Sequence, residues 1–313
     1  MGKYKITVVG AGNVGSVIAN TISQRGYADV CIIDIEEGLA KGKALDMNQQ
    51  CAIIGSDSKV FGGNDYRITE GSNISVITAG IPRKPGMKRE DLIETNSKIV
   101  KGIIENLIKY SPNTYIIVVT NPVDTISYLA LKVSGLSRNK VIGMGGILDT
   151  ARFKYYIKEK TGYSYESINC FVLGGHGDEM VPVVSTTTVG GKYLKNLLST
   201  EEIKEIVEKT KKGGAEIVNL LKTGSAYYAP GMAVVEMIES ILFDKKKVLP
   251  CSVFCQGEYG IENIFFGLPV RLGKDGIEEI IEIPLSEEEK QLLEESAKSV
   301  KATHLILENL KII

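Results

Sequence analysis

The first apolar run, Ile6-Thr7-Val8-Val9, is short, β-branched and stopped by Gly10, which reads as a buried strand. The period then changes. Val14, Val17, Ile18 and Ile22 recur at three- and four-residue steps between Asn13 and about Arg25. This is one apolar stripe of a helix, and Gly26 is placed to end it. Val30-Cys31-Ile32-Ile33 reads as a second buried strand, ending at Asp34. A strand–helix–strand unit implies parallel strands joined by a right-handed crossover.

The alternation continues. Residues 74–78 read as a strand, Leu92 to Tyr110 as a helix and residues 115–119 as a strand; a helix follows Pro122, and Val141-Ile142 closes the series. Near-continuous apolar strands alternating with helices predict an α/β fold, a doubly wound parallel sheet with helices on both faces. Beyond about residue 145 the style changes. Residues 171–173 and 180–189 read as strands, and two long helical patterns run from Glu201 to Leu221 and from Ser286 to Leu310. Ser286 and Glu289 have capping-box spacing. The expected organisation is a nucleotide-binding half, residues 1–145, followed by an α+β half, residues 146–313. No flexible linker separates them, so they are expected to share one interface.

Composition narrows the function classes. Hydrophobic residues make up 43% and charged residues 24%, an ordinary globular balance. The formal net charge of −1 gives no reason to expect a nucleic-acid or anionic-membrane partner. No apolar run approaches the ~20 residues of a membrane helix. Met1 to Lys5 lead straight into a strand pattern, so no signal peptide is expected. Cys31, Cys51, Cys170, Cys251 and Cys255 are odd in number and include no Cys-x-x-Cys pair. They are expected to be reduced, mostly buried thiols in a cytoplasmic protein, with no metal site.

Gly10-Ala11-Gly12-Asn13-Val14-Gly15 is a G-x-G-x-x-G between a strand and a helix, with Asp34 closing the next strand. All parts of the dinucleotide fingerprint are in register. Gly10 allows the tight turn, Gly12 lets backbone approach a pyrophosphate, and Gly15 lets helix and strand pack closely. The helix N-terminus offers free N–H groups and a positive dipole end. Asp34 can accept from a ribose diol and would repel a 2′-phosphate, which predicts NAD rather than NADP.

Only two histidines occur. His304 lies in the C-terminal helical pattern and reads as a surface or packing residue. His176 stands in Gly174-Gly175-His176-Gly177-Asp178 at the end of a strand pattern; glycine neighbours would leave the ring uncrowded. With Thr78-Ala79-Gly80, Thr120-Asn121-Pro122-Val123-Asp124 and Leu148-Asp149-Thr150-Ala151-Arg152-Phe153, in this order, these segments make the chain resemble the lactate/malate dehydrogenase family along nearly its full length.

The resemblance implies a Rossmann domain followed by a catalytic domain, NAD as cofactor and a small 2-hydroxy acid as substrate. It implies His176 as proton carrier and Asp149 as its carboxylate partner. On the residues alone, Asp149 reads equally well as a helix N-cap before Thr150. Arg152 resembles the arginine that grips the substrate's C1 carboxylate in a bidentate fork, and Asn121 the asparagine near substrate and nicotinamide. Asn96, Val119 and Thr120 are carried over as lining the cofactor site.

Residues 80–91, polar and bounded by Gly and Pro, read as a mobile loop that matches the family's lid. Arg89 matches the arginine that polarises the reacting carbonyl, and Arg83 falls at the specificity position. The resemblance is closest to the lactate-dehydrogenase-like malate dehydrogenases. An arginine at that position matches malate and oxaloacetate, whose second carboxylate would otherwise be buried unpaired. Lactate dehydrogenase or dual specificity is the alternative. A non-catalytic NAD-binding module is a third reading, although His176, Asp149 and Arg152 are all present. Residues 222–230 resemble the far wall of the pocket, with Ser225 or Ala226 facing ligand. A homodimer or homotetramer is implied by the resemblance only.

Overall fold

The computed structural model describes residues 3–82 and 88–312. The expected alternation forms. β1 (Tyr4–Val9), α1 (Asn13–Arg25), β2 (Ala28–Ile33), α2 (Glu37–Ile54), β3 (Val60–Gly63) and β4 (Ile74–Ile77) are followed by α3 (Arg89–Tyr110), β5 (Tyr115–Val118), α4 (Val123–Ser134) and β6 (Val141–Gly143). These six strands are parallel, in the order β3-β2-β1-β4-β5-β6. Both faces are covered, which is why the strands read as unbroken apolar runs. Ile6, Val8, Ile32 and Val76 pack with Ile18 and Ile22 of α1 and Ala40 and Ala44 of α2. Val9, Ile33, Ile77 and Val118 pack with Ile93 and Ile104 of α3 and Ile126 and Leu129 of α4.

α3 starts at Arg89, one turn before the expected Leu92. The backbone N–H of Lys88 donates to Asp91 Oδ2 at 3.2 Å, and Glu90 and Asp91 fill the first turn, where carboxylates suit the positive end of the helix.

The second half holds α5 (Gly146–Thr161), short strands β7 (Ile168–Asn169), β8 (Val172–Leu173), β9 (Val181–Pro182), β10 (Thr188–Val189) and β11 (Lys192–Tyr193), then α6 (Thr200–Leu221), α7 (Tyr228–Leu242), β12 (Lys247–Gln256), β13 (Glu262–Gly273), β14 (Gly276–Ile280) and α8 (Glu287–Asn309). The expected strand over 180–189 is two separate two-residue strands. The series also does not close at β6. β12, β13 and β14 add to it antiparallel, giving nine strands in one sheet. The join is one pair, Ser252 opposite Gly143. A Cβ on Gly143 would stand 2.7 Å from Ser252 Cβ and 2.6 Å from Ser127 Oγ, so glycine is what lets β12 dock there.

α8 opens with the expected capping box: Ser286 and Glu289 each bond the other's backbone N–H. No helix of the described residues is long and apolar enough to cross a membrane. All five cysteines are buried and free.

Candidate active site

The glycine loop sits at the carboxyl end of β1, beside the centre of the parallel sheet. Gly10 takes φ +108°, a region open to glycine, and a Cβ there would stand 2.6 Å from Thr78 Oγ1. A Cβ on Gly15 would run into the carbonyl oxygen of Gly10, whereas one on Gly12 would meet nothing within 4 Å. The three glycines thus separate as the fingerprint requires: Gly10 and Gly15 pack protein on protein, and Gly12 keeps open space at the N-terminus of α1. Asn13 and Val14 form the first turn of α1.

Asp34 Oδ2 accepts from the Ala11 N–H at 2.6 Å and Oδ1 from the Glu36 N–H at 3.0 Å. Its carboxylate is therefore oriented by the loop it adjoins and still has acceptor capacity for a diol. An open helix N-terminus with an oriented acceptor beside it fits a dinucleotide.

The next strand ends form the neighbouring wall. Thr120 Oγ1 donates to Ala79 O at 2.7 Å, tying the ends of β5 and β4 together. Val119 is half-buried and Asn121 exposed. Asn96 on α3 stands behind these two strand ends. It is 1% exposed. Its Oδ1 accepts from Ile81 N at 2.8 Å, and its Nδ2 donates to Asn121 O at 2.8 Å and Ile81 O at 3.2 Å. Its polar atoms brace the segments after β4 and β5.

α5 carries Asp149 and Arg152. The helix starts at Gly146 with Gly145 as its cap residue, so Asp149 lies inside the first turn and is not the N-cap. It is 1% exposed and serves two partners. Oδ2 lies 2.7 Å from His176 Nδ1, and Oδ1 accepts from Arg152 Nη1 at 3.1 Å. Arg152 Nε is buried with no partner among the described residues. The polar atoms of this buried carboxylate are satisfied, while its arginine keeps a free donor edge.

His176 is held by its backbone more firmly than its glycine neighbours suggested. Gly174 N donates to Gly267 O at 2.9 Å, Gly175 N to Ser296 Oγ at 2.9 Å and His176 N to Asp124 Oδ2 at 3.0 Å. Three consecutive N–H groups thus reach β13, α8 and α4. The glycines also let other elements press on the loop backbone. A Cβ on Gly175 would stand 2.5 Å from Val300 Cγ2, and one on Gly267 would strike Gly174 O.

Asp124 had no assigned role from sequence. It is buried, in the first turn of α4, and also accepts from Ser252 Oγ at 2.5 Å.

Burial alone would drive the His176 pKa down. The charge and hydrogen bond of Asp149, with the charge of Asp124, outweigh it despite the opposing Arg152, and the net shift is upward. Burial pushes the Asp124 carboxyl up from its ordinary value, against the pull of its Ser252 and His176 hydrogen bonds.

His304, the other histidine, is 3% exposed. Its Nδ1 lies 2.9 Å from Val300 O, its Nε2 accepts from Phe265 N at 3.3 Å and its ring packs edge-on against Tyr128. It is a packing residue. Arg89 is exposed at the start of α3, and no described hydrogen bond or ion pair joins it to the His176 cluster. Arg83 lies outside the described residues. Among the described residues no cluster of His, Cys, Asp and Glu could hold a metal ion.

A dinucleotide cradle beside a carboxylate-supported histidine and a half-free arginine defines an NAD-dependent oxidoreductase. The lactate/malate dehydrogenase NAD-binding domain matches residues 4–143, and the α/β C-terminal domain of the same family matches residues 147–306. A malate dehydrogenase of Roseiflexus sp. (strain RS-1) is 50% identical over 299 residues, 96% of this chain and 97% of that protein. Two crystal structures from Cryptosporidium parvum superpose closely. Its malate dehydrogenase gives a TM-score of 0.94 at 44% identity, covering 100% of both chains. Its lactate dehydrogenase, in complex with lactic acid and nicotinamide adenine dinucleotide, gives 0.95 at 42% identity over 99% of each. The chain belongs to the lactate/malate dehydrogenase family, and its cofactor is NAD.

Proposed function

We propose that the chain interconverts (S)-malate and oxaloacetate. The observation that carries the reaction is the Asp149 bridge between His176 Nδ1 and Arg152 Nη1. With Nδ1–H donated to Asp149, Nε2 is left as the acid/base atom; no described residue partners it. In oxidation Nε2 accepts the proton of the C2 hydroxyl, and the imidazolium so formed is stabilised by Asp149. In reduction the same atom returns the proton to the ketone oxygen. Bound NAD accepts or gives back the hydride. Arg152 offers its free edge to the C1 carboxylate, and Asn121, just beyond β5, contributes its side chain to the substrate. Gly10 to Gly15, Asp34, Asn96, Val119, Thr120 and Asn121 hold the cofactor.

The backbone does not choose the acid, because a malate and a lactate dehydrogenase superpose on it equally well. Two things favour malate. The curated relatives near 50% identity, in Roseiflexus and Chlorobium, are malate dehydrogenases. Arg83 also supplies a cation for a second carboxylate, with Arg89 closing over the reacting carbonyl. Leaving that carboxylate unpaired in a closed pocket would cost on the order of 2–5 kcal/mol. Comparing kcat/KM for oxaloacetate and pyruvate tests the reading. A clear oxaloacetate preference is expected; equal or better use of pyruvate moves the chain to the lactate reading.

The same reading divides the chain near residue 145 into cofactor and catalytic halves and expects a homodimer or homotetramer. Exposed Leu39, Leu45 and Ile53 on α2 offer apolar surface for such a contact, and sedimentation equilibrium measures the state. Five free thiols support a reducing, cytoplasmic setting.

A further inference from the structure

The guanidinium of Arg152 lies against bare helix backbone. Gly213 and Gly214 stand well inside α6 (Thr200–Leu221), where glycine is disfavoured because it gives up the most backbone freedom on ordering. Neither takes a positive φ, so the backbone does not need glycine for its conformation. What they provide is proximity. A Cβ on Gly213 would stand 3.2 Å from Arg152 Cδ and 3.6 Å from Nε. One on Gly214 would stand 3.3 Å from Nη2 and 3.6 Å from both Cζ and Nη1. Gly213 therefore lies under the stem and Gly214 under the guanidinium plane.

The two helices are held together by a shared apolar cluster, Phe153 and Ile157 of α5 with Ile206 of α6, and by polar contacts at its edge. Lys160 of α5 pairs with Glu205 of α6 at 2.7 Å, and Tyr156 Oη donates to Glu216 Oε2 at 3.1 Å. A side chain at 213 or 214 could not be relieved by separating the helices without breaking these. It would have to move Arg152, which among the described residues is tethered on one side, through Nη1 to Asp149.

We propose that Gly213 and Gly214 are positioning residues: the bare backbone of α6 is the floor that sets the depth and tilt of the Arg152 guanidinium, so that its free N–H edge meets the substrate carboxylate. The proposal rests on the reading of Arg152 as the carboxylate-binding residue. A displacement of a few tenths of an ångström in such a clamp is enough to weaken binding severalfold, given that about 1 Å costs roughly a hundredfold.

The test is Gly214→Ala and the double variant Gly213→Ala/Gly214→Ala, with Arg152→Lys beside them. Alanine improves the helix, so Tm should hold or rise. KM for oxaloacetate should rise at least about fivefold for the single variant and further for the double, while KM for NADH stays within about twofold. Stability and substrate affinity then move in opposite directions, which a purely structural glycine pair would not produce. An unchanged KM for oxaloacetate overturns the proposal, as does a rise accompanied by a lower Tm and a shifted KM for NADH. Arg152→Lys separates the two ideas. If it leaves KM for oxaloacetate unchanged, the carboxylate reading fails and takes the floor with it. If it raises KM while Gly214→Ala does not, only the floor fails.

Discussion

Asp149 Oδ2 stands 2.7 Å from His176 Nδ1, and the same carboxylate holds Arg152 through its other oxygen. One buried group therefore sets both the tautomer of the proton carrier and the place of the carboxylate clamp. It also raises the histidine pKa against burial, so the imidazolium persists to higher pH than an ordinary histidine. Oxaloacetate reduction needs the imidazolium and should fall as pH rises through that raised value; malate oxidation needs the neutral ring and should rise there. Asp149→Asn keeps an acceptor and removes the charge. It should lower kcat/KM at least about a hundredfold and move the limiting ionisation to lower pH. Asp124→Asn should move it the same way by less. Full pH profiles in both directions check this, and an unmoved ionisation in Asp149→Asn would remove the carboxylate from the mechanism.

The two outer glycines of the cofactor loop and its middle one should respond differently to alanine. Gly15→Ala drives a methyl into Gly10 O, a backbone contact that cannot yield cheaply. It should lower Tm, through a destabilisation on the order of 1–3 kcal/mol from overpacking. Gly12→Ala meets no atom of the described residues within 4 Å and should leave Tm unchanged while weakening NADH binding, because the methyl occupies space reserved for the pyrophosphate. NADH fluorescence titration with thermal denaturation distinguishes them. Equal loss of stability in both would mean Gly12 is a folding residue.

The parallel half was readable because its strands are buried on both faces and its glycines stand where turns and close packing need them. The second half was less so. β12 contains Pro250 and β13 contains Pro269, paired opposite each other, and proline inside a run argues against a central strand. The sheet's extension beyond β6 was therefore missed. α7 was not predicted either; Pro230 and Gly231 in its first turns interrupt the helical pattern. At the site, Asp34, Asp149 and His176 were legible from motif and family likeness. Asp124, Ser252, Ser296 and the glycines under Arg152 were not, because their roles depend on contacts between elements far apart in the chain.

Substrate choice should shift with one residue. Arg83 lies outside the described residues, and its role is argued from charge. Arg83→Gln removes the cation proposed for the second carboxylate. The ratio of kcat/KM for oxaloacetate over pyruvate should fall at least roughly tenfold, the size of one charge-assisted contact. Since Arg152 is untouched, the loss should appear with oxaloacetate and not with pyruvate. An unchanged ratio would assign the second carboxylate to another residue.

His304 should limit stability in acid. Burial, only partly offset by its bond to Val300 O, pushes its pKa down to about 4. Above roughly pH 6.5 the ring is neutral in both folded and unfolded chains, and its hydrogen bonds are intact. As pH falls from there toward 4, the unfolded chain takes up a proton that the folded one refuses, so folding stability declines across that window. A gap of about two and a half pH units corresponds to roughly 3 kcal/mol at most. His304→Gln removes the ionisation. It should lower Tm at neutral pH through poorer packing against Tyr128, yet flatten the slope of Tm between pH 6.5 and 4. A slope identical to that of the parent would place the acid sensitivity elsewhere.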